Sequence, residues 1–153
     1  MSALLIVALF GSPLGALAFG TDQTVGVRGQ LMCGDKPETN ADVKLWTQHT
    51  WPNTDSLLAS TKTDSQGRFQ LSGSESQILM TIRPEIRIYH RCNNKGIFDI
   101  PNLCQRKSVY EIPEKYISKG QQVGDWYDMG SMNLEAKQKG EDTHCITTRI
   151  GRK

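Results

Sequence analysis

From residue 25 onward, apolar side chains recur at every second position in short runs, and turn-forming residues separate the runs. A period of two places alternate side chains on opposite faces of an extended backbone, so each run predicts a strand with one face in a core and one in water. Val25, Val27, Gly29 and Leu31 share one face of a first strand, with Arg28 and Gln30 on the other. Gly34-Asp35-Lys36-Pro37 ends it. Val43, Leu45 and Thr47 form the inner face of a second strand, and a loop through Trp51-Pro52-Asn53 leads to a third over 57–63.

The next segment, Thr63-Asp64-Ser65-Gln66-Gly67-Arg68-Phe69-Gln70-Leu71, spells out a strand end, a tight turn and a strand start. Asp64 can accept hydrogen bonds from the turn backbone, Gly67 supplies a positive φ, and Phe69 and Leu71 resume the alternation. Ile78, Met80 and Ile82 predict a further strand, broken at Pro84. Ile86, Ile88 and His90 then line one face of a run to Cys92, with Arg87, Tyr89 and Arg91 on the other. Another strand is expected over 105–112, a single helical turn behind Pro113, and a last strand over 126–134. No helix-period segment of ordinary length occurs. Seven to nine short strands with regular turns predict an all-β sandwich with Greek-key connections.

The first residues stand apart. An apolar run over 3–10, followed by small residues and Ala16-Leu17-Ala18, has the form of a signal peptide of residues 1–18, cleaved before Phe19 or alternatively after Gly20. Residues 19–145 then form one domain, and the polar stretch 146–153 a tail. The apolar run is too short to span a bilayer. A secreted, extracellular protein is the expectation.

In that compartment the even number of cysteines, Cys33, Cys92, Cys104 and Cys145, reads as two disulfides. Four cysteines allow three pairings. The short, turn-rich loop between them favours Cys92 with Cys104, which leaves Cys33 with Cys145. Zinc is the competing reading, but there is no C-x-x-C pair and no closely spaced histidine to complete a tetrahedral site, so neither metal nor cofactor is expected.

Together the segments Val25-Gly26-Val27-Arg28-Gly29-Gln30-Leu31-Met32-Cys33, the turn at 63–71 with Ser72-Gly73-Ser74-Glu75 behind it, Ile88-Tyr89-His90-Arg91-Cys92, Cys104-Gln105-Arg106-Lys107 and Gly130-Ser131-Met132-Asn133-Leu134-Glu135 resemble the nematode transthyretin-like family. The resemblance implies a transthyretin-like, immunoglobulin-type sandwich and secretion. It further implies an extracellular binding role, bridging exposed phosphatidylserine and an engulfment receptor. Two neighbouring families are a hormone carrier and a hydroxyisourate hydrolase. The hydrolase pattern requires several histidines, an arginine and a C-terminal Tyr-Arg-Gly-Ser, whereas this chain ends Ile150-Gly151-Arg152-Lys153. His49, His90 and His144 fall in separate segments with no adjacent acidic partner to hold a general base, so no catalytic residue is assigned. A carrier of a small apolar ligand is the alternative to the bridging role.

Net charge is only +2, and no recognition motif is present, so nucleic acid is not an expected partner. The charge is uneven, however: residues 83–107 carry six basic and two acidic side chains. If the strands flanking Cys92 and Cys104 are neighbours, Arg87, Arg91, Arg106 and Lys107 form a basic patch able to attract an anionic membrane surface, each charge contributing about 1 kcal/mol. His90, on the apolar face, is expected to be a neutral core histidine donating to a carbonyl. Trp126 and Tyr127 read as core packing or strand capping. The terminal Gly151-Arg152-Lys153 resembles an amidation signal only by coincidence, and no Asn-x-Ser/Thr sequon occurs.

Overall fold

The computed structural model describes residues 20–50, 52–94 and 104–145. The expected signal peptide and tail lie outside the described residues. Among the described residues there are ten strands: β1 (Thr21–Cys33), β2 (Lys36–Pro37), β3 (Asp42–Thr47), β4 (Ser56–Lys62), β5 (Arg68–Gln77), β6 (Pro84–His90), β7 (Cys104–Glu111), β8 (Ser118–Lys119), β9 (Trp126–Asn133) and β10 (Asp142–Cys145), with a 3-10 turn at Glu114–Tyr116. They form two five-stranded sheets. In the first, β5 runs antiparallel along one edge of β1, and β8 and then β9 lie along the other, β9 in parallel. The second has the order β10-β7-β6-β3-β4, antiparallel throughout.

The alternation read from the sequence is what closes the sandwich. Val25, Val27 and Leu31 of β1 and Phe69 and Leu71 of β5 face Val43 and Leu45 of β3 and Ile86 and Ile88 of β6, all buried in one cluster with Leu134. The turn after β4 has the chemistry its residues dictate. Asp64 Oδ1 accepts from the N–H groups of Gln66 (2.8 Å) and Arg68 (2.9 Å), and Gly67 sits at φ +72°. A β-carbon at Gly67 would stand 2.2 Å from the Leu31 carbonyl oxygen, because the Leu31 N–H donates to Gly67 O across the same gap. Glycine is therefore required twice, for its dihedral and for its missing side chain.

Two expectations are corrected. The disulfides are Cys33–Cys92 and Cys104–Cys145, not the pairing favoured from loop length. Continuing the β6–β7 register past His90↔Arg106 would indeed set Cys92 opposite Cys104. The ladder stops first: β6 ends at His90, and a turn at 91–94, with Asn93 at φ +50° and Asn94 N–H bonded to Arg91 O, takes Cys92 out of the sheet. Cys92 then ties the second sheet to the end of β1, while Cys104 meets Cys145 directly across β7 and β10. β10 itself was unforeseen, because its short run Asp-Thr-His-Cys carries no apolar alternation.

The second correction concerns residues 78–82. They form no strand. Leu79 adopts φ +60°, which reverses the chain, and Ile78, Leu79 and Met80 stand in solvent while Ile82 turns into the core.

Candidate functional site

The outer face of the β3–β4–β6–β7–β10 sheet receives two of the four expected patch residues, Arg87 and Lys107, turned outward by strand alternation, but Arg106 pairs with His90 on the inner face. Arg91, one residue past the end of β6, is exposed in the turn that follows. The four therefore do not form one patch. Arg87 is also committed: its guanidinium bonds Asp55 and the buried Glu85 and stacks over the Trp46 ring at 4.5 Å. Burial opposes its charge, yet these two carboxylates hold its pKa above the ordinary arginine value. Arg87 in turn is the main reason that Asp55 lies below the usual carboxylate range. Across the sheet, Lys62, Asp42, Tyr89, Lys107 and Asp142 follow one another in register, so opposite charges alternate along that row. Arg91 and Lys107 remain as cations with no ion pair among the described residues.

Arg106 is a structural hub. It donates five hydrogen bonds: two to Glu141 and one each to the carbonyls of Cys92, Leu134 and Ala136. Both members of the ion pair are nearly buried, at 11% and 5% exposure. Desolvation alone would raise the Glu141 pKa, but Arg106 brings it below the usual value. His90 lies beside this pair, 1% exposed, its pKa lowered to about 4 first by desolvation and then by the Arg106 charge. It is thus a neutral core histidine, as expected. The expected carbonyl acceptor is not there, since neither ring nitrogen has a partner.

The expectation that no histidine has a carboxylate neighbour is also corrected. His49 Nε2 lies 3.1 Å from Glu75 Oε1 and 3.0 Å from Ser56 Oγ. Glu75 is 26 residues away, on the other sheet, which hides the contact from any local reading. Serine and acid meet the same ring nitrogen, whereas a proton relay through imidazole needs one group on each. The cluster pins the loop after β3 to β5. The four cysteines are all in disulfides and offer no thiolate for a metal. Trp126 covers Gly26, and Tyr127 packs against Tyr116 at 4.9 Å, in agreement with a packing role.

One end of the sandwich differs from the rest. Ile78 and Met80 are each 65% exposed, and Leu79 is as open as in an extended chain. Three consecutive apolar side chains in water, with a non-glycine residue held at positive φ at a cost of about 1 kcal/mol, are not what folding alone selects. The loop is nonetheless fixed. The buried Gln23 side chain donates to Met80 O (2.7 Å) and accepts from Ile82 N–H (3.1 Å), clamping its backbone to β1. Exposed Arg83 stands at its foot, with its N–H on Thr47 Oγ1 and its guanidinium on Gln48 Oε1. Lys119, paired in register with Gln23, is a second exposed cation at this end. The sequence contained the signal, three adjacent apolar residues before a proline, but it reads equally as a strand.

Fold and disulfides define a β-sandwich stapled by two bridges. A model of the transthyretin-like family matches residues 28–113, and the chain belongs to that family. Among its relatives, transthyretin-like protein 33 of Caenorhabditis elegans is 40% identical over 124 residues, covering 81% of this chain and 82% of that one. Transthyretin-like protein 5 of the same organism is 37% identical over 146 residues, covering 95% and 99%. Transthyretin-like protein 46, also from C. elegans, is 34% identical over 145 residues, covering 95% and 76%.

Proposed function

We propose that the protein is a secreted binding protein that bridges an anionic phospholipid surface and a cell-surface receptor, with the loop bearing Ile78, Leu79 and Met80 as its membrane contact. The observation that carries this reading is that loop: a clamped, convex apolar tip with Arg83 and Lys119 beside it. Apolar side chains gain by leaving water for the acyl boundary, and basic neighbours add about 1 kcal/mol each near an anionic surface. Two disulfides suit an oxidising extracellular compartment. Arg91 and Lys107 lie at the other end of β6, whose seven residues span about 20 Å, so two partners can be held at once. Those two cations are the receptor-facing contact. The test is co-sedimentation with phosphatidylcholine vesicles, with and without phosphatidylserine, at low and high salt. Binding should rise with the anionic lipid and persist in part at high salt, because screening leaves the apolar term intact. Absence of binding at low salt to the phosphatidylserine vesicles would refute the reading.

A further inference from the structure

Of the methionines among the described residues, Met80 alone is exposed, with 65% of its surface open. Met129 and Met132 pack against the core cluster, and Met32 is half-buried in β1. Met80 also stands on the apolar tip, where Gln23 Nε2 donates to its carbonyl oxygen and holds its backbone in place. The loop is fixed while the thioether is open to solvent. Thiolates are ordinarily the first groups that a peroxide consumes. Here all four cysteines are in disulfides, so no thiol of the chain competes. The Met80 thioether, which needs no deprotonation to react, is therefore the most accessible sulfur nucleophile among the described residues.

We propose that Met80 is a modification site: hydrogen peroxide converts it to the sulfoxide, and the modified tip leaves the membrane. The inference rests on the membrane reading above and adds its regulation. A lone pair on the sulfur attacks one peroxide oxygen and an S–O bond forms. The O–O bond breaks, and the second oxygen departs as water after taking the proton of the first. Sulfur is oxidised by two electrons and the peroxide reduced by two, so no further co-reactant is needed. The product sets a strong dipole where an apolar side chain stood. In the acyl boundary its oxygen meets no donor, since the adjacent tip side chains, Ile78 and Leu79, carry none. Oxidation thus removes an apolar contact and adds a desolvation cost, while the Gln23 clamp, made to the backbone, is untouched. The change is reversible, because methionine sulfoxide reductases return the thioether.

The experiment treats the full secreted chain with dilute hydrogen peroxide and follows each methionine by peptide mass mapping. Co-sedimentation with phosphatidylcholine vesicles containing phosphatidylserine is measured in parallel at high salt. Met80 should gain its oxygen before Met32, Met129 and Met132. Binding of the singly oxidised protein should fall about tenfold, the loss of one buried apolar side chain, with the thermal midpoint unchanged. Incubation with methionine sulfoxide reductase should restore it. Met80→Leu keeps the apolar volume without the sulfur and should bind alike before and after peroxide. Oxidation of the packed methionines ahead of Met80 overturns the site. Equal binding of oxidised and untreated wild type overturns the release and leaves the membrane reading standing, as does an equal loss of binding in peroxide-treated Met80→Leu. Failure of the untreated chain to bind these vesicles overturns the membrane reading and the proposed release with it.

Discussion

Replacing Arg106 by methionine separates a hub from a solvent-facing cation. The guanidinium leaves behind Glu141, 5% exposed, and the carbonyls of Cys92, Leu134 and Ala136, which it serves through single bonds of 2.8, 2.9 and 3.2 Å. Stranding one member of a buried pair costs about 3–5 kcal/mol. With a urea m-value of about 1.5 kcal/mol/M, the unfolding midpoint should fall by roughly 2–3 M. The pair also has a pH signature. The folded pKa of Glu141 lies below its unfolded value, so its contribution is complete above the unfolded pKa of 4.5 and is lost as pH falls through the folded value. Arg106→Met should reverse that dependence, because desolvation alone raises the Glu141 pKa and protonation would then favour the folded state. The double variant Arg106→Met, Glu141→Leu should recover most of the loss, because an apolar pair leaves no charge unpaired. A single variant within about 1 kcal/mol of wild type would place Arg106 among exposed surface cations and refute the hub.

Further outcomes follow from the same structure. His90, with a folded pKa of about 4 against 6.5 unfolded, makes the unfolded state the better proton binder between those values, so stability should drop by about 3 kcal/mol from pH 7 to pH 4. Urea titrations of wild type and His90→Phe across that window check it; a slope unchanged in the variant contradicts it. Gly67→Ala should cost more than about 2 kcal/mol in chemical unfolding, since it adds positive-φ strain to a backbone collision with Leu31. Removing Cys33–Cys92 with paired serines should cost about 4 kcal/mol, the chain-entropy value for a bridge spanning 59 residues. Non-reducing peptide mapping should recover Cys33 joined to Cys92; recovery of Cys92 joined to Cys104 would contradict the fold.

What was legible in the chain was local. Alternation placed β1, β3, β5, β6, β7 and β9, and the Asp64 to Gly67 turn was read residue by residue, because strand faces and turns are set by neighbours a few positions apart. The failures all involve distance or a single dihedral. Cys92 and Cys104 are in the right register to be bridged, and only the early end of β6 sends them elsewhere. Arg106 was grouped with Arg87 by sequence proximity, although cross-strand pairing puts it on the opposite face. The His49–Glu75 contact joins two sheets. At Ile78, Met80 and Ile82 the alternation was real, but the positive φ of Leu79 accompanies an exposed tip in place of the expected strand.

That tip carries the proposed function, and Leu79→Gly tests it most directly. Glycine suits the positive φ, and Leu79, fully exposed, has no packing to lose, so thermal stability should stay the same or rise slightly. Removing a side chain whose burial is worth about 2 kcal/mol should weaken association with vesicles containing phosphatidylserine by at least about tenfold at high salt. A variant as stable as wild type that binds those vesicles equally well would contradict the account.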